Sequence, residues 1–108
     1  MSADALAALE VRVGRVIRAE PNARARKPAY KLWIDFGPLG ERHSSAQITE
    51  LYTAEQLAGR FVLAAMNLGS RTIAGFESEV LVLGVPDAEG RVVLLAPDRD
   101  VPPGGRMS

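Results

Sequence analysis

The single histidine, His43, stands beside Ser44 and Ser45, the residue types from which a serine nucleophile and its base are assembled. Adjacent residues on a strand point to opposite faces, so His43 and Ser44 do not share a proton. His43 and Ser45 can lie side by side, but no strained turn surrounds them to present a nucleophile. Glu77-Ser78-Glu79 brings two acids close together. The carboxylates nevertheless show no metal-ligand spacing, one histidine supplies too few nitrogens for zinc, and the absence of cysteine removes thiolate ligands, a thiol nucleophile and disulfides. Gly37-Pro38-Leu39-Gly40 lacks phosphate-cradle spacing and reads as a turn. The expectation is a non-catalytic protein with no metal and no cofactor.

Charge distribution offers a different chemistry. Arg12, Arg15, Arg18, Arg24, Arg26, Lys27 and Lys31 fall in one stretch against Glu20 alone, while Glu77, Glu79, Asp87, Glu89, Asp98 and Asp100 lie later. The formal net charge is zero, so the surface as a whole does not attract polyanions. A local basic face can still bind phosphates, with modest and salt-sensitive affinity.

The elements that must position these groups follow from periodicity. At 108 residues, 47% of them hydrophobic, the chain fits one domain spanning 1–108 with enough apolar surface for a core. Asp4 is expected to cap a short helix, Ala5 to Glu10, that shows Leu6 and Leu9 on one face. Val11, Val13 and Val16-Ile17 read as a strand whose alternation slips at Gly14, the signature of a bulge. Pro21-Asn22 ends it, and a polar, basic loop runs to Pro28. Tyr30, Leu32, Ile34 and Phe36 alternate with Lys31, Trp33 and Asp35, which gives a strand with Trp33 on the face away from the core. After the turn at 37–40, a strand over about Arg42 to Ile48 pairs back as a hairpin. Thr53 and Gln56 make a capping box for a short helix with Leu57 buried and Gly59 as its stop. Phe61 to Met66, Val80 to Val85 and Val92 to Ala96 are strand-like runs, the last two separated by the turn Asp87-Ala88-Glu89-Gly90.

Three strands, a short helix and further strands give an all-β chain and fit a five-stranded OB barrel whose helix links strands three and four. An immunoglobulin-like sandwich is the rival and normally lacks that helix. The N-terminal helix and the tail Pro97 to Ser108 are extensions able to build an interface. In an OB barrel the strand-two and strand-three face and adjoining loops form the usual nucleic-acid surface, and Arg24, Arg26, Lys27, Lys31 and Arg42 fall in or beside them. Ser44, Ser45, Gln47, Asn67 and Ser78 sit at strand ends, where they either bond phosphate, sugar and base edges or satisfy loop backbone. Trp33 either stacks on a base or peptide side chain, or is covered by a neighbouring element. The first residues, Met1-Ser2-Ala3-Asp4-Ala5-Leu6, carry an acid where a secretory signal carries a base, and no run is long enough to span a membrane. A cytoplasmic protein without membrane insertion is expected.

The order of Arg12-Val13-Gly14, Lys27-Pro28-Ala29-Tyr30-Lys31-Leu32, Ser44-Ser45-Ala46-Gln47-Ile48-Thr49, Asn67-Leu68 and Ile73-Ala74-Gly75-Phe76-Glu77-Ser78-Glu79-Val80-Leu81 resembles the CsaA branch of the tRNA-binding-domain family, from about Ala7 to Met107. The resemblance implies an OB fold, a homodimer joined through the terminal extensions and tRNA binding that depends on shape more than sequence. In some members it implies a chaperone role in protein export, with unfolded or preprotein segments and the secretion motor as partners. Wider relatives carry a basic residue where Ala74 stands and a Gly-Met pair where Glu79-Val80 stands. The chain thus loses a positive charge and gains a negative one near the expected RNA edge, with Arg71 the nearest remaining cation. Two functions follow as expectations. One is a tRNA clamp using the residues named above. The other is a chaperone groove near the dimer seam involving Trp33 and Phe61.

Overall fold

In the computed structural model, residues 3–108 are described; Met1 and Ser2, which open the N-terminal segment read above, lie outside the described residues. The longest strand, β1 (Val11–Pro21), is the hub. It pairs antiparallel with β4 (Phe61–Ala65) through residues 11–15 and with β2 (Tyr30–Asp35) through residues 15–21. β3 (Glu41–Ala46) follows β2 through a 3-10 turn at Gly37–Leu39, and β7 (Leu81–Val82) lies on the far edge of β4, giving the order β3-β2-β1-β4-β7. Two hairpins complete the strands: β5 (Arg71–Ile73) with β6 (Phe76–Ser78), and β8 (Gly84–Pro86) with β9 (Val92–Leu94). The helices are α1 (Asp4–Ala8) and, between β3 and β4, α2 (Ala54–Leu57).

The five-stranded sheet curls into a nearly closed OB-type barrel. Its seam runs between β3 and residues 78–80: the His43 carbonyl accepts from the N–H groups of Glu79 (2.8 Å) and Val80 (3.3 Å). Side chains finish the ladder, with His43 N–H donating to Glu79 Oε1 (2.9 Å) and Ser45 N–H to Ser78 Oγ (3.0 Å). The period-two pattern of β2 is realised: Leu32, Ile34 and Phe36 are fully buried together with Val16, Leu57 and Val62. Thr53 and Gln56 form the reciprocal capping box of α2.

Three sequence expectations are corrected. Gly14 is not the bulge, because it pairs regularly with Val62; the register shifts between Val16 and Arg18, so Ile17 is the extra residue. Gly14 is needed for space instead. A Cβ there would sit 2.5 Å from Ile34 Cγ2 and 2.7 Å from Phe36 Cε1, so the core packs directly on bare backbone. Asp4 is the first residue of α1 and Ala3 its N-cap, with no side-chain cap bond, and Leu6 stays exposed. The run Val80 to Val85 divides into β7 and β8 at Leu83, whose N–H still donates to Leu63 O on β4 while its carbonyl accepts from Leu95 N–H.

The C-terminal tail is an element in its own right. Gly104 N–H donates to Val13 O, Val13 N–H to Gly105 O and Met107 N–H to Val11 O, so the tail covers the part of β1 that β2 does not reach. Arg12 Nη1 donates to Gly104 O (2.8 Å) and Arg106 Nη2 to Ala7 O (2.8 Å), tying both chain ends to the barrel. No described helix is long and apolar enough to cross a membrane.

Candidate nucleic-acid interface

The loop after β1 is shaped by Asn22, whose side chain is buried. Asn22 N–H donates to Ala29 O (2.9 Å), its Oδ1 accepts from Arg24 N–H (3.1 Å), and its Nδ2 reaches Ile73 O on the facing hairpin at 3.5 Å. That hairpin turns on Ala74 (φ 49°) and Gly75 (φ 80°), the left-handed pair that matches strand twist in a two-residue turn. Gly75 meets a second demand. The Arg24 guanidinium lies against its backbone, where any Cβ would overlap it.

Loop and hairpin are thus two walls of one cleft of about 600 Å³, lined by Arg24, Arg26, Lys27, Ser45, Gln47 and Ala74 among others. A second cleft of about 220 Å³ adjoins it along Ser45 and Ile73 and is rimmed by Arg71. Arg24, Arg26, Lys27 and Arg71 have no carboxylate partner among the described residues. Of the other cations, Arg12 pairs with Glu10, Arg18 and Lys31 with Glu20, and Arg91 with Asp87 and Glu89, while Arg15, Arg42 and Arg106 bond backbone carbonyls and Arg60 lies over the Tyr52 ring.

The remaining candidates divide. Ser45 and Gln47 line the cleft. Ser44 does not, because it is fully buried in the barrel wall opposite Leu32, and its Oγ has no hydrogen-bond partner among the described residues. Ser78 is buried, with its hydroxyl engaged by Ser45 N–H and Val80 O. Asn67 is taken up structurally: its Oδ1 accepts from Glu10 N–H (3.0 Å) and its Nδ2 donates to Ala8 O (2.8 Å). Arg42 sits at the other end of β3, opposite Ile34, with its guanidinium on Leu39 O, so it is not brought to the cleft. Lys31 stands on the outer face beside Ser45, 5.8 Å from the rings of both Trp33 and Phe76.

Trp33 is half-buried among its neighbours. Arg18 lies over its ring at 4.4 Å, and Phe76 and His43 approach edge-on at 5.4 Å and 6.1 Å. Phe61 is two strands away under Arg15, with β1 between it and Trp33, so the two do not frame one groove. Glu79, the acid expected near the RNA edge, is turned onto the β3 edge, where it accepts from His43 N–H and stands 3.5 Å from His43 Nδ1. Away from the cleft, the Arg12 hydrogen bond holds the Glu10 carboxyl below its usual range, helped by the charges of Arg12, Arg106 and Arg42 and opposed by partial burial.

Sequence reasoning missed Asn22, Gly75 and the hairpin they serve. Asn22 had registered only as a strand stop. Ala74-Gly75 between Ile73 and Phe76 is a weaker hairpin signal than Asn-Gly, though it is of the same kind.

Comparison with known proteins bears on this geometry. The family described as "Putative tRNA binding domain" matches residues 11–106. The crystal structure of the chaperone CsaA from Bacillus anthracis str. Ames superposes with a TM-score of 0.91 at 47% identity, covering 100% of this chain and 98% of that one. The CsaA chaperone protein from Picrophilus torridus gives 0.91 at 38% identity, covering 100% and 99%. The methionine–tRNA ligase of Methanosarcina acetivorans is 34% identical over 101 residues, 94% of this chain; the chain spans only 14% of that relative's length.

Proposed function

The chain belongs to the tRNA-binding-domain family, and from that premise we propose that it is a non-catalytic, cytoplasmic module that binds folded tRNA through the loop–hairpin cleft. One observation carries the reading: four cations that have no carboxylate partner among the described residues, Arg24, Arg26, Lys27 and Arg71, gather around two adjoining clefts. Paired cations are already neutralised where they stand, whereas unpaired ones repel each other until phosphates arrive. The cleft offers backbone-directed charge and few base-reading groups, which suits recognition of a folded shape. Fluorescence anisotropy of labelled tRNA across a salt series tests this. Binding that weakens steeply with salt and favours the folded over the unfolded RNA is expected; no binding at low salt ends the reading.

A second reading, a chaperone for unfolded or preprotein segments that are passed to the secretion motor, is favoured by apolar surface at the chain ends. Leu6 (43% exposed) and Met107 (39%) line a groove of about 530 Å³ between α1 and the tail. Arg106 and Met107 continue into a smaller groove with Val13, Leu63 and Val101. The same strip suits a second copy of the chain, so a homodimer is part of the proposal. Suppressed aggregation of a reduced client, seen by light scattering, would favour the chaperone. Persistence of the dimer when the client is added would place the client elsewhere.

A further inference from the structure

The slot beside the basic cleft differs from it in chemistry. It is lined by Leu68, Gly69, Ile73, Val80 and Leu81, with Ser45, Arg71 and the already engaged hydroxyl of Ser78 as its polar groups. Leu68 and Leu81 are 58% and 52% exposed, a poor use of aliphatic surface unless something covers it. The saddle between slot and cleft is Ser45 and Ile73, which line both. Crossing that saddle leads from three unpaired cations to an apolar slot with one more cation and a hydroxyl at its mouth. Ser45 Oγ has no hydrogen-bond partner among the described residues, because the bond to Ser78 uses the Ser45 backbone N–H.

We infer that the slot receives an unstacked nucleobase, one nucleotide turned out of the RNA, while phosphates flanking it lie on Arg24, Arg26 and Lys27. This inference rests on the tRNA-binding reading. A base has two apolar faces and a polar edge, which match aliphatic walls and a rim of one hydroxyl and one guanidinium. A paired helix cannot offer that combination, since its bases are stacked and its grooves present edges only. Charge decides against a peptide side chain, because a peptide in the slot would have to carry acids across the saddle to satisfy the cations. The base contributes shape selectivity: RNA with an extruded nucleotide gains contacts that a continuous duplex lacks.

The test uses the intact protein and two RNA hairpins, one fully paired and one with a single bulged nucleotide, by anisotropy at one salt concentration and then across a salt series. Wild-type protein is expected to bind the bulged RNA about tenfold tighter, with the same salt slope for both, as an uncharged contact requires. Leu68→Ser/Leu81→Ser is expected to erase that preference and leave the affinity for paired RNA unchanged. Equal wild-type binding of both RNAs overturns the slot while leaving the tRNA-binding reading standing. Failure of the wild type to bind folded tRNA overturns both. Displacement of the bulged RNA by an acidic unstructured peptide at matching concentration would assign the slot to polypeptide instead. The wild-type comparison needs no variant, so a misfolded double variant does not shelter the inference.

Discussion

The basic cleft and the terminal seam both use arginine, and they use it in opposite ways. At the seam, Arg12 is bonded to Glu10 and to the carbonyl of Gly104, and Arg106 to the carbonyl of Ala7, so each guanidinium holds chain to chain. In the cleft, Arg24 lies on the backbone of Gly75 and neither it nor Arg26 or Lys27 meets a carboxylate among the described residues. Carboxylates follow the same division. Glu10 serves the seam, and Glu79 is committed to closing the barrel. The lesson is that a count of charges says little about binding, since the formal sum here is zero. Where unpaired cations stand together decides where a polyanion can go.

The strongest way to break the contrast is to empty the cleft. Arg24→Ala/Arg26→Ala/Lys27→Ala is expected to lower tRNA affinity by about 100-fold at low salt and to reduce the slope of log K against log salt by roughly one for each lost phosphate contact. Because none of the three holds the core, the melting temperature should stay within a few degrees of wild type. An unchanged slope would take the loop out of the interface.

Next in size is the converse experiment at the seam. Val101→Lys/Met107→Lys places two charges in grooves that a second copy is proposed to cover. Self-association should weaken at least tenfold in sedimentation velocity, since each ammonium would have to be desolvated. The salt slope of tRNA binding per chain should not move. A slope that fell with the dimer would mean that the two regions are one site.

How much of this could be read from the residues depends on the range of the interactions. The core of β2 was legible because burial of Leu32, Ile34 and Phe36 is written in strict alternation, and the capping box because Thr53 and Gln56 are three residues apart. The basic loop was legible as composition. What pairs each cation was not: Arg12 and Glu10 are near neighbours, but Asn22 reaches Ile73 and Ser45 reaches Ser78 across gaps no local pattern reports. Ser44 and Ser45 look interchangeable in the chain, yet the pleat buries one and turns the other to the cleft. Gly14 misled for a related reason. A glycine in a strand marks either a bulge or a close approach, and only the far side of the core, Ile34 and Phe36, distinguishes them.

Glu79 sharpens the comparison from the side of the acids. If its carboxylate is structural, Glu79→Ala leaves His43 N–H without its acceptor and should cost about 1–2 kcal/mol, a fall of roughly 5–10 °C in melting temperature for a domain of this size. The tRNA affinity should change less than about threefold. A stable variant that binds tRNA more tightly and with a steeper salt slope would mean that the acid faces the RNA after all.

The smallest expected effect separates the regions by titration. The Glu10 carboxyl is held below its ordinary range by the Arg12 hydrogen bond and by nearby guanidinium charge, so the folded chain binds that proton less readily than the unfolded one. A carboxylate depressed in this way contributes stability that is fully present above its unfolded pKa and is lost as pH falls through its folded one. Thermal melts of wild type and Glu10→Gln from pH 7 down to pH 3 should therefore differ by a constant amount above about pH 5 and converge below it. Asp87 is also held low, first by the backbone N–H of Arg91, but it is present in both proteins and cancels in the difference. Convergence would identify the seam as a place where charge is already paired, the property the cleft lacks. A gap that persisted to pH 3 would mean that Glu10 holds the chain end through packing and hydrogen-bond shape alone.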